Sequence, residues 1–166
     1  MPSSRSRAGR LGLLPVILAV AGALAVSGCG SREKLSGDQA SQFNSRATQF
    51  SQAMSKLNRQ AAACAKKAGA GNVNAVAGCF AGIFEEISGN FEEISRYVAG
   101  LSGEVEGPCS AKLETVSTSL GKVSDQFSSA AKDFRDGDVG NLNEKLNNRR
   151  LNQIAPQLNA AEQACT

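Results

Sequence analysis

Apolar positions recur most regularly at Ala77, Phe80, Phe84, Ile87, Phe91, Ile94, Val98 and Leu101, stepping alternately by three and four residues. That spacing holds them all on one stripe of an α-helix, so residues 77–101 predict a helix with a continuous apolar seam. Within it Phe84-Glu85-Glu86-Ile87-Ser88 recurs seven residues later as Phe91-Glu92-Glu93-Ile94-Ser95. Two more segments carry the same alternation. One runs through Phe43, Ala47, Phe50, Met54, Leu57, Ala61, Cys64 and Ala68, the other through Cys109, Leu113, Val116, Leu120, Val123, Phe127, Ala130 and Phe134. A fourth segment is less regular, with Leu142, Leu146, Leu151, Ile154, Leu158, Ala161 and Cys165.

The punctuation between seams sets the expected helix ends. Asp38 is the expected N-cap of the first helix, and Gly69-Ala70-Gly71 ends it. Asn72 or Asn74 caps the second, which Gly100, Gly103 and Gly107-Pro108 close. Pro108 suits the first turn of the third helix, where its missing N–H would be unpaired anyway. Asp136-Gly137-Asp138 ends that helix, and Asn141 with Glu144 resembles a capping box for a fourth. The step of five between Leu146 and Leu151 breaks the phase, and Pro156 costs about 3 kcal/mol inside a helix. A kinked helix, or two shorter helices meeting at Pro156, is expected there.

All seven Phe, at 43, 50, 80, 84, 91, 127 and 134, fall on the three regular seams. The expected fold is therefore all-α: an antiparallel up-down-up-down four-helix bundle of rods roughly 40 to 48 Å long, crossing at about 20°. The alternative is an extended coiled coil whose hairpins pair between chains. Many seam positions are Ala, which lets helices approach closely but buries little apolar area per turn.

The start of the chain differs in kind. Arg5, Arg7 and Arg10 precede an uncharged stretch, residues 11–26, that is shorter than the roughly 20 residues a spanning helix needs. A basic region, a short apolar region and small residues before a cut site make a secretory signal. Val26-Ser27-Gly28-Cys29 resembles the lipobox of bacterial lipoproteins. The resemblance covers residues 1–29 and implies a diacylglycerol thioether at Cys29, cleavage before it, and acylation of the new amino group. There is no Arg-Arg pair, which points to general secretion rather than the twin-arginine route. The expected organisation is a signal peptide at 1–28, a lipidated Cys29 and polar tether at 29–37, and a helical domain at 38–166. Two or more acyl chains suffice for stable membrane attachment.

Removing the signal changes the charge. The whole chain is +3, but Arg5, Arg7 and Arg10 supply all of it, leaving fifteen Lys and Arg against fifteen Asp and Glu. With no Trp or His and a single Tyr, Tyr97, the neutral remainder argues against a nucleic-acid partner. Beyond Cys29 four cysteines remain, and an exported chain with an even count predicts two disulfides. In the bundle Cys64 and Cys79 meet at one end and Cys109 and Cys165 at the other. The expected pairs are 64–79 and 109–165, since any cross-pairing exceeds the roughly 7 Å allowed between bridged Cα atoms.

Candidate chemistry is sparse. Glu85, Glu86, Glu92 and Glu93 form two acidic rows beside the second seam, a surface for a divalent cation or a cationic partner. Di-metal bundles place Glu-x-x-His inward, however, and this chain has no His. Residues 38–71 are net +4 and residues 72–107 net −5, so the rows are expected to complement the first helix. Gly82 and Gly89 fall on the outer side of the second helix, where bare backbone suits a partner's helix or a peptide. Arg149-Arg150 suits lipid phosphates or a solvated face. The serines of the third helix, Ser117, Ser119, Ser124, Ser128 and Ser129, have no His and no Lys arranged as a base. No nucleophile–base pair, phosphate loop, metal site or cofactor site can be assembled. The expectation is a non-enzymatic scaffold or protein-interaction module, lipid-anchored at the outer face of a bacterial envelope. The alternative is a carrier or sensor that takes an apolar ligand between Phe80, Phe84, Phe91 and Phe127.

Overall fold

The computed structural model describes residues 33–68, 73–138, 146 and 148–166. Among them the chain forms four α-helices and no strand: α1 (Gly37–Ala68), α2 (Val73–Glu104), α3 (Gly107–Asp136) and α4 (Asn148–Cys165). Cys29, Asn72, the side chain of Asn74, Leu142, and Asn141 with Glu144 lie outside the described residues.

The helix ends follow local chemistry. Ser36, not Asp38, caps α1: the Gln39 N–H donates to Ser36 Oγ at 3.2 Å, and the Ser36 N–H donates to Gln39 Oε1 at 2.8 Å. Ser36 wins because it has a Gln three residues on, which completes a capping box. Asp38 sits instead in the first turn, beside the positive end of the helix dipole. Gly100 and Gly103 remain inside α2, which runs on to Glu104. Gly107 turns the chain with φ 64°, and Pro108 occupies the first turn of α3. At the far end Gly137, with φ 76°, donates to the Asp133 carbonyl, which also accepts from Asp138 N–H at 2.9 Å. This is a Schellman end, and glycine suits it because the position is left-handed. Through Pro156, α4 is unbroken, so the two-helix form is not the one adopted. Pro156 and Asn152 are both exposed, which leaves the unpaired Asn152 carbonyl to water.

Contacts along the helices fix their directions. Gln39 near the start of α1 donates to Glu104 at the end of α2 at 2.6 Å, and Cys64 late in α1 is bridged to Cys79 early in α2. Ser110 donates to the Ser102 carbonyl at 2.7 Å beside the α2–α3 turn, and Arg135 late in α3 pairs with Glu85 early in α2. Cys109 opens α3 and is bridged to Cys165, which closes α4. An up-down-up-down order accounts for all of these pairs. The most extensive contact is between α2 and α3, with α1 packed on α2 and α4 on α3.

Small side chains explain that ranking. Ser88 and Ser124 donate to each other's carbonyls, both at 2.9 Å. Ser95 and Ser117 do the same at 2.8 and 3.0 Å. With Ser102 and Ser110 these form two facing rows stepping by seven residues, and the buried Ala81 and Ala131 continue them. A hydroxyl one bond beyond Cβ reaches the facing carbonyl only if the two backbones lie close together.

Beside this ladder the seams meet in one core. It draws Met54 and Leu57 from α1, Phe91 and Val98 from α2, Val116, Val123 and Phe127 from α3, and Ala161 from α4. Leu35, placed by the sequence in the tether, is 4% exposed and belongs to the same core. The two expected disulfides are present, with Cα–Cα distances of 5.9 Å for Cys64–Cys79 and 4.7 Å for Cys109–Cys165. Closing loops of 15 and 56 residues contributes about 3 and about 4 kcal/mol on a chain-entropy model.

The ladder predicts a sharp size dependence at position 124. Ser124→Ala loses one hydrogen bond and is expected to cost about 1 kcal/mol. Ser124→Leu must force α2 and α3 apart and is expected to cost about 1 to 3 kcal/mol more. Ser129→Leu, at an exposed position on the same helix, is expected to change little, all three being read from urea unfolding midpoints.

Candidate functional site

The outer face of α2 is built by what its seam leaves over. With Phe84, Ile87, Phe91 and Ile94 packed on the core, Gly82 and Gly89 fall on the opposite side and are exposed. A Cβ built on either meets nothing within 4 Å, and the same holds for Gly78, Gly100 and Gly103. The glycines are therefore not required by close packing.

The acidic rows divide between two neighbours. Glu93 pairs with Arg46 of α1 at 2.9 Å, as the charge balance predicts. Glu85 pairs instead with Arg135 of α3, and Glu92 with Arg96 of its own helix at 3.7 Å. Glu86 makes no ion pair among the described residues, and its carbonyl accepts from Asn90 at 2.6 Å. The expectation that the rows complement α1 as a set is thus corrected: the two rows flank the seam, so one faces α1 and the other α3. Exposed pairs of this kind each contribute only tenths of a kcal/mol.

Arg46 also holds a residue that the sequence did not single out as a site. Its guanidinium lies 4.8 Å from the centroid of the Tyr97 ring. Tyr97 is half-buried, and its hydroxyl has no hydrogen-bond partner among the described residues. Burial raises its pKa above the ordinary tyrosine value, Arg46 works against the rise, and Glu104 adds to it. The sequence signal was its place one residue before the seam position Val98, at the border of the apolar stripe.

Inside the bundle the Phe side chains form a continuous chain of ring contacts. Phe50 meets Phe91 edge-on at 5.0 Å, Phe91 stacks on Phe127 at 5.9 Å, and Phe127 meets Phe84 at 5.7 Å. Phe84 and Phe80 both reach Phe134, at 5.2 and 5.5 Å. Of the four rings between which an apolar ligand is the alternative, Phe80 lies 6.5 Å from Phe84, Phe84 5.7 Å from Phe127 and Phe91 5.9 Å from Phe127, each within ring-contact distance.

Between α3 and α4 the surface opens into a groove of about 530 Å³. Thr115, Thr118, Ser119 and Lys122 line it from α3, and Arg150 and Gln157 from α4. Of the serines noted on the third helix, Ser117 and Ser124 turn to α2, Ser119 lines this groove, and Ser128 and Ser129 are exposed. Arg149 and Arg150 are both exposed at the start of α4, and Arg150 belongs to the groove.

Among the described residues, no group of three or more His, Cys, Asp and Glu could hold a metal ion, and no helix is long and apolar enough to cross a membrane. No family model, curated protein or solved structure matches the chain.

Gly82→Ala and Gly89→Ala are each expected to stabilise the fold by about 0.5 to 1 kcal/mol, because nothing obstructs the new methyl and helix interiors disfavour glycine. Urea denaturation checks this. For Tyr97, a pKa raised by folding means that its contribution is complete below the unfolded value of about 10 and is lost as pH rises through the folded value. Tyr97→Phe is expected to leave stability at neutral pH unchanged or slightly higher, and to flatten its decline above about pH 10.

Proposed function

We propose that the chain is an exported lipoprotein, anchored through Cys29, whose bundle is a non-enzymatic rigid scaffold or protein-interaction module at the outer face of a bacterial membrane. Rigidity is the property the geometry supports best. The observation that carries it is the ring-to-ring packing of Phe50, Phe91, Phe127, Phe84, Phe134 and Phe80, which fills the interior a carrier would need to keep open. Two disulfides at opposite ends favour an oxidising compartment and so support export.

The position of the anchor follows from the start of the domain. Leu35 is buried in the core, Lys34 donates to the Thr166 carbonyl, and Glu33 lies against Gly107. These contacts hold the N-terminal end beside Cys109–Cys165. A lipid on Cys29, four residues before Glu33, turns that end to the membrane and Cys64–Cys79 away from it. The outer face of α2, with Gly82, Gly89 and the glutamates, then stands along the rod and faces neighbours laterally.

The test has two parts in one strain. The full chain is expected to incorporate labelled palmitate and to sediment with membranes, whereas Cys29→Ala does neither. Photo-crosslinking from position 89 is expected to give a discrete envelope-protein adduct that Gly82→Arg abolishes and Ser128→Arg preserves. Labelling that persists in Cys29→Ala overturns the anchor, and an adduct indifferent to Gly82→Arg overturns the surface.

A further inference from the structure

We infer that the groove between α3 and α4 is a binding site for a small anionic, polyhydroxylated ligand, of the class of a phosphorylated sugar or polyol. Every residue that lines it is polar or charged. Besides Thr115, Thr118 and Ser119, which supply hydroxyls, it is lined by Lys122 and Arg150, and by Glu114, Gln153 and Gln157. No aliphatic or aromatic residue lines it, so it holds no ring on which a base would stack, and its apolar surface is confined to the stems of polar side chains.

The groove has two chemically different ends. Cys109 is bridged to Cys165, so positions equally far from that bridge on α3 and α4 lie side by side. Lys122 is thirteen residues from Cys109 and Arg150 fifteen from Cys165, which puts both cations at one end. Glu114 and Gln157 are five and eight residues from the bridge and lie toward the other. Along α3 the two ends are about 12 Å apart, enough for a six-carbon ring and an ester-linked anion.

Arg46, Arg96 and Arg135 each face a glutamate, whereas Lys122 and Arg150 form no ion pair among the described residues. At the opposite end Gln157 Oε1 is shielded from solvent and has no donor among the described residues. A shielded acceptor without a partner is costly and is normally satisfied by water or a ligand. Thr115 Oγ1 already donates to the Ala111 carbonyl at 2.9 Å and so presents an acceptor. The cations take the anion, while Glu114 and Thr115 accept from ligand hydroxyls, and a rotation of the Gln157 side chain that turns its amide to the groove supplies a further partner.

Such a ligand has two sources, a free sugar phosphate or the headgroup of a glycolipid, and the test separates them. The full chain in neutral detergent is titrated with glucose-6-phosphate, glucose and inorganic phosphate by calorimetry and amide NMR. In parallel it is floated with vesicles that contain or lack phosphatidylinositol. The expected result is saturable binding of glucose-6-phosphate or of phosphatidylinositol vesicles, with shifts confined to residues 114–122 and 150–157. Lys122→Gln and Arg150→Gln are each expected to weaken it about tenfold, as loss of a charge-assisted hydrogen bond does. Gln157→Leu weakens it as well, and Arg135→Gln leaves it unchanged. Both cations are exposed and form no ion pair among the described residues, so these variants keep the wild-type helical circular dichroism. Failure of both ligands to bind overturns the proposal. So does inorganic phosphate binding as tightly as the sugar phosphate, or binding that Lys122→Gln and Arg150→Gln leave intact.

Discussion

Where Ser88 and Ser124 donate to each other's backbone carbonyls, and Ser95 and Ser117 repeat the exchange one heptad along, α2 and α3 come closer than branched side chains permit. Most of the molecule depends on that approach. A helix pair joined along one narrow line of small residues has no room for bulk at the line itself, so larger side chains are displaced to its flanks. Phe84 and Phe91 of α2 meet Phe127 and Phe134 of α3 beside the ladder rather than across it. The outer helices then pack on a preformed hairpin, α1 through Phe50 on Phe91 and α4 through Ala161 and Cys165. Neither outer helix is held as extensively as α2 and α3 hold each other, and each carries one disulfide to the hairpin, at opposite ends of the rod.

That arrangement explains what the sequence made legible. Heptad seams depend on periodicity alone, which is local, and three of them specified helix existence, approximate ends and the shared apolar core. The disulfide pairing was equally readable, because antiparallel order leaves only one arrangement within covalent reach. Periodicity does not reveal the ladder, although Ser88 and Ser95 stand in the repeated motif that organises α2. A serine looks the same in sequence whether it faces water or a neighbouring carbonyl, and only the pairing register distinguishes Ser117 and Ser124 from the exposed Ser128 and Ser129. At the start of α1, Asp38 drew attention by residue type, while the Ser36–Gln39 pair that closes the helix is a relation between two positions.

Candidate sites follow the same division. Gly82 and Gly89 were placed on the outer face by phase, and they are there. The acidic rows were assigned to α1 from summed segment charge, which ignores direction; rotation about the helix axis sends Glu93 to Arg46 and Glu85 to Arg135. The α3–α4 groove belongs to no single element. Its residues come from the polar faces of two helices, and those faces are featureless in sequence because solvated positions obey no packing rule.

The close hairpin also limits how the bundle can respond to a partner. Separating α2 from α3 breaks paired hydrogen bonds along several turns and exposes backbone carbonyls already committed within each helix, so adjustment falls to α1 and α4. Their own bridges restrain those helices at one end each, α1 at Cys64 and α4 at Cys165. The opposite end of α4 carries Arg150 and the cationic side of the groove. The start of α1 is held in turn by the Ser36–Gln39 cap, the Gln39–Glu104 contact and the burial of Leu35. Of the four ends of the two outer helices, disulfides hold two and the cap of α1 a third, and a ligand that bridges Lys122 and Arg150 ties the fourth, the N-terminal turn of α4, to α3.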